Sequence, residues 1–182
     1  METLESLTGG LMRLNTMILL VCKYLIIAIV AIITGILIAA VVFRYGLNNA
    51  LSWAEELSKY LMVWLTFLGA PIALRHFGHI NIDLFVRLLS PRLEQFALLL
   101  ISLIIALTMG IVLWKGVGFA QLGARQVASS FNLSMVYLYV AVPIGAALTV
   151  LVAIEQALQA FVGLFDPAKG LIQPSGEFDS AV

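Results

Sequence analysis

Charge is what this sequence has least of: 11% of its 182 residues are charged, against 62% hydrophobic. Soluble domains carry about a quarter charged residues, so a water-soluble globular fold is excluded and lipid is the expected solvent. Cys22 is the single cysteine, which rules out an intrachain disulfide and a cysteine-built metal site. Walker loops, nucleophile elbows, zinc-binding helices and dinucleotide fingerprints are all missing. ATP-driven transport and soluble-type catalysis therefore lose their usual residues, and the chain is read as a non-enzyme with no cofactor of its own. Ten basic and ten acidic residues cancel, so no electrostatic footprint for nucleic acid is present.

Four long stretches without any charge remain: 24–43, 60–74, 95–114 and 126–154. A charge near the bilayer centre costs about 2.5 kcal/mol or more, so these stretches mark the spans. The expected fold is an all-α integral membrane protein with four transmembrane helices, at about 20–43, 53–74, 95–115 and 132–154, in a single domain over 1–165. The second span is short and borrows the turn holding Glu55, Glu56 and Lys59. The first apolar run, 11–43, would reach about 50 Å as one helix, so its early part is expected to lie along the surface or project beyond it. That run is longer than a signal-peptide core and is read as retained. An interfacial amphipathic helix is expected at about 80–89, and a disordered tail at 166–182, where Pro and Gly recur. Arg13, Lys23, Arg75, Arg87, Arg92 and Lys169 fall on one side, and Arg44, Lys59, Lys115 and Arg125 on the other. By this bias both termini face the cytoplasm.

Small residues recur at spacings that bring membrane helices together: Gly35 with Ala39, Gly69 with Ala73, Ser102 with Ala106 and Gly110, and Ala141 with Gly145, Thr149 and Ala153. Such seams serve packing within the chain or against another subunit. Pro143 in the fourth span is expected to kink it.

Polar groups at membrane depth are few. Thr34, Thr66, Ser102, Thr108 and Thr149 are the deep hydroxyls, and a lone hydroxyl there bonds back to its own helix. His76 and His79 share a helical face, yet only Asp83 could join them, so headgroup or loop hydrogen bonds are the expected role and no metal site is assigned. Glu55 and Glu56 sit at an interface, with Lys59 one turn on and Arg44 across a short connection as possible counter-ions; Glu155 is a second membrane carboxylate. A structural ion-pair cluster is favoured over a proton relay.

Arg44 and Tyr45, then Trp53, Glu55 and Glu56, then Trp64 with Phe67, Leu68, Gly69 and Ala70, then Ala73, Arg75, His79, Ile80 and Asp83 form a spread pattern, echoed by Ser134, Tyr137, Pro143 and Gly145. Over roughly residues 10–160 it resembles the small membrane subunit, or Q subunit, of tripartite ATP-independent periplasmic (TRAP) transporters. The resemblance implies a multi-pass protein of the bacterial inner membrane, partnered by a large membrane subunit that holds the substrate and sodium sites. It also implies a periplasmic substrate-binding protein, and uptake of a carboxylate such as a C4-dicarboxylate or sialic acid. The small chain would then be a scaffold in contact with lipid and the large subunit. Arg44, Trp53, Glu55, Glu56, Lys59, Trp64, Arg75, His79 and Asp83 are the candidate partner or interface contacts, and the first connection a candidate docking point for the binding protein. The rival reading is a self-sufficient homodimeric exporter, which needs a carboxylate well inside a span; a membrane enzyme or haem carrier is third.

Overall fold

A computed structural model describes residues 2–77, 91–130 and 132–165. Chains in lipid must satisfy every backbone N–H and C=O internally, and this one does so with helices. They are α1 (Glu2–Gly46), α2 (Ser52–Phe77), α3 (Pro91–Gly123), the single turn α4 (Val136–Tyr139) and α5 (Ala141–Phe165). Four helical segments are long and apolar enough to cross a bilayer: Thr8–Gly46, Ser52–His76, Leu93–Gly123 and Val136–Leu164. The all-α, four-span architecture expected from the sequence is thus present. The interfacial helix at 80–89 and the tail at 166–182 lie outside the described residues.

The first helix is longer than the sequence suggested. Its 45 residues form one unbroken helix of about 68 Å, more than twice the ~30 Å hydrocarbon core. It closes where Asn48 takes a left-handed conformation at φ 50° and the amides of Leu47 and Asn49 both end on the Phe43 carbonyl.

The helices form an open row rather than a closed bundle. Among the described residues α1 packs on α2, α2 on α5 and α5 on α3, while α1 also reaches α5. The central pair runs parallel: Trp64 of α2 meets Tyr137 just ahead of α5, and Leu74 meets Gln156 near the other end. The outer helices run antiparallel to their neighbours, with Arg44 beside Glu55 and Thr16 beside Arg75, and with Gly116 against Pro143 and Gly123 against Tyr139.

Two prolines act differently from one another. Pro143 stands in the first turn of α5, after a break at Val140, where a missing N–H has no helical partner to lose. The interruption it accompanies lies within the apolar segment Val136–Leu164, where the sequence placed a kink. Pro71 is buried inside α2, so the helical partner of the Phe67 carbonyl is absent.

The small-residue seams divide by helix. In α5, Ala141, Gly145, Thr149 and Ala153 are all buried, because α5 lies between α2 and α3. Gly145 is the tightest point: a Cβ there would stand 2.5 Å from the Phe67 carbonyl oxygen, the one freed by Pro71. In the other helices the expected rows drift off the contact. Ser102 is buried, but Gly110 and Gly35 have open space where a side chain would be; in α2, Ala73 is exposed and a Cβ at Gly69 would only reach the tip of Ile26 at 3.9 Å. A strict spacing of four turns about 40° per step away from a fixed face. The buried face of α3 instead runs through Gln95, Leu98, Ser102, Gly116, Ala120 and Gly123, at steps that fit mixed threes and fours.

Candidate functional site

Two polar clusters, one at each end of the row, hold the helices together. At the end where α2 and α5 finish, Arg75 Nη2 lies 3.2 Å from Glu155 Oε1, with both side chains nearly buried. Asn15 of α1 donates through Nδ2 to the other carboxylate oxygen, Oε2, at 2.5 Å and to the Leu151 carbonyl at 3.2 Å. Arg75 also donates to Thr16 Oγ1 at 3.0 Å, and Gln159 donates to Glu155 Oε1 at 3.4 Å. Gln156 Nε2 adds a bond to the Leu74 carbonyl at 3.1 Å. A buried carboxylate is tolerable only when its oxygens are met, and both oxygens of Glu155 are.

At the opposite end the acidic pair splits its duties. Glu55 pairs with Arg44 at 3.7 Å across the first connection, in the open, rather than with Lys59 one turn on. Glu56 accepts the backbone N–H groups of Ser129 and Ser130, at 3.1 and 2.7 Å, and the Tyr60 hydroxyl at 2.8 Å. It therefore ties down the loop between α3 and α4, which is itself closed by an antiparallel bridge between Val127 and Ser134. Trp64 Nε1 donates to the Tyr137 carbonyl at 2.9 Å just beyond that loop, and Tyr139 stacks on Phe119 with centroids 4.2 Å apart. Where Gly123 turns out of α3, a Cβ would meet Tyr139 at 2.5 Å and the Val136 nitrogen at 3.0 Å, so only glycine fits.

The residues named from sequence are thus partly assembled. Arg44, Glu55, Glu56 and Trp64 gather around the first connection and the 124–135 loop; Trp53 and Lys59 are exposed on the same turns of α2. Arg75 is at the far end and engaged within the chain. His79 and Asp83 lie outside the described residues, as does any pairing of His76 with His79. Asn15, Gln156 and Gln159 were not singled out, although an amide amid long apolar runs is a detectable signal. The deep hydroxyls of Thr34, Thr66 and Thr149 bond back to the carbonyls of Val30, Met62 and Gly145, as a lone hydroxyl in a span should.

The family model of the tripartite ATP-independent periplasmic transporters, DctQ component, matches residues 33–163. The chain is 39% identical over 69 residues to a putative TRAP transporter small permease protein of Haemophilus influenzae, covering 38% of this chain and 43% of that protein. It is 32% identical over 105 residues to the C4-dicarboxylate TRAP transporter small permease protein DctQ of Rhodobacter capsulatus, covering 57% and 45%. A third relative, the sialic acid TRAP transporter permease protein SiaT of Haemophilus influenzae, is 27% identical over 116 residues, which are 64% of this chain but 19% of SiaT. In all three the matched stretch spans less than half of the relative. With the family match running through most of its length and four apolar helices to carry it, the chain belongs to the DctQ family of TRAP transporter small permease components, multi-pass proteins of the bacterial inner membrane.

Proposed function

We propose that this chain is the small membrane scaffold of a TRAP transporter, bracing a large transport subunit during sodium-coupled, binding-protein-dependent uptake of a carboxylate. The observation that carries the reading is the match to SiaT, in which a stretch similar to this chain makes up about a fifth of one much longer permease. A segment joined to a large permease in one relative and separate in another is what a tightly associated subunit looks like. The open helix row supports the same role, since its outer helices α1 and α3 each leave a long apolar face for lipid or a neighbouring subunit. Its buried carboxylate, Glu155, is spent on holding the chain together. Sodium and substrate would be bound by the large subunit, and the substrate class follows the relatives named for C4-dicarboxylates and sialic acid. Both chain ends would face the cytoplasm, placing the Arg44–Glu55 pair and the Glu56-held loop on the periplasmic side, where a binding protein docks.

A homodimeric exporter would need a carboxylate free to take and release its cargo. Glu155 is paired with Arg75, and Glu56 holds two loop amides. The decisive experiment is reconstitution of the large subunit in proteoliposomes with the binding protein, with and without this chain. Uptake driven by a sodium gradient is expected only with it. Full uptake by the large subunit alone overturns the scaffold reading.

A further inference from the structure

Helix α1 poses a question that its composition does not answer: what fixes its position along its own axis. The charge-free part of α1, 24–43, is about 30 Å long and is bracketed by Lys23 and Arg44; the flexible stems of both let their charges follow a slide of one turn, so they fix depth only coarsely and do not fix register against α2 and α5. The least exposed positions of α1 include Asn15, Leu19, Cys22, Ile26, Ile29, Ile33 and Ile36, alternating steps of four and three. This is the heptad seam of a left-handed helix pair. After Asn15 every one of these side chains is apolar. Lipid gives an apolar seam no hydrophobic drive to pair, and a one-heptad shift replaces Leu19 by Ile26 and Ile26 by Ile33. Such a seam selects a face of α1 but not a register.

Asn15 is the polar member of the row. Its amide binds two groups one turn apart on α5, the Leu151 carbonyl and Glu155 Oε2, while Arg75 of α2 holds the other oxygen of the same carboxylate and the neighbouring Thr16 hydroxyl. Three helices therefore converge on one carboxylate with directional bonds. Sliding α1 by one turn, about 5.4 Å, breaks every bond it makes there. We propose that the Asn15–Glu155–Arg75 triad is the register pin of α1, setting its axial position against α2 and α5, while the apolar seam supplies contact without specificity. A buried polar residue in the seam plays this part in soluble coiled coils, and here misregister would strand a buried charge pair.

Cross-linking in the full-length chain in its membrane tests it. Gly69 faces Ile26, so Ile26→Cys with Gly69→Cys in a Cys22→Ala background reads the observed register. Gly69→Cys with the native Cys22 reads a one-turn slide, and Ile33→Cys with Gly69→Cys, again with Cys22→Ala, reads a one-heptad slide. With the triad intact, only the 26–69 pair should cross-link efficiently with a short thiol reagent. Replacing the triad with Asn15→Leu, Arg75→Leu and Glu155→Leu leaves no unpaired charge behind, and should lower the 26–69 yield severalfold while a shifted pair appears. Asn15→Leu alone, which keeps the ion pair, should give a smaller change in the same direction and remains readable if the triple variant does not accumulate. An unchanged 26–69 yield with no shifted product, in either variant, overturns the proposal.

Discussion

At one end of the helix row Glu155 meets Arg75 with side chains 4% and 13% exposed; at the other Glu55 meets Arg44 with 65% and 52%. The chemistry is the same, a carboxylate with a guanidinium, but the surroundings are not. Water screens the exposed pair, whose worth is about 0–1 kcal/mol. The buried pair sits where losing one partner strands the other charge, at a cost of about 3–5 kcal/mol. These two ion pairs therefore differ in role: one organises three helices and the other decorates a connection. Glu56 belongs with neither, since it acts through hydrogen bonds to backbone amides.

The comparison breaks first at Glu155. Glu155→Leu alone leaves Arg75 buried and unpaired, and should destabilise the chain by about 3–5 kcal/mol, read as loss of folded protein in a thermal aggregation assay in detergent. Arg75→Leu with Glu155→Leu should recover much of that loss; failure to recover would mean that the pair contributes more than its own charges. Next comes the α2–α5 contact. Gly145→Ala drives a methyl into the Phe67 carbonyl and should cost about 1–3 kcal/mol by pushing the central helices apart, visible in the same assay. Glu56→Gln weakens the acceptor for Ser129 and Ser130, so their amides should exchange hydrogen faster while those of α5 keep their protection. Arg44→Ala should be the smallest effect, below about 1 kcal/mol and shrinking further in high salt; a large loss there would erase the distinction between the two ends.

Much of the fold is readable from residue order because lipid is an exacting solvent. Four charge-free stretches give four spans, and the hydroxyls of Thr34, Thr66 and Thr149 return to their own helices. The ends of the spans are less legible. The loop at 127–134 is uncharged, so by hydropathy it merges with the fourth span, yet a backbone bridge and the Glu56 carboxylate hold it outside α5. Small-residue spacing identifies the inner face of α5 and fails on α1, α2 and α3; on α1 and α3 the buried positions follow a period of about 3.5 instead.

Sequence alone thus determined the solvent, the number of spans, the lack of a second cysteine for Cys22 to pair with and, through scattered residues from Arg44 to Gly145, the family. These follow from composition and local pattern, which act on each segment separately. Tertiary structure decided which carboxylate is paired with what. Arg75 and Glu155 are 80 residues apart, and Asn15 is 140 from the glutamate it binds. No local rule relates such positions; they meet because α2 and α5 run parallel at the centre of the row, and α1 crosses their shared end.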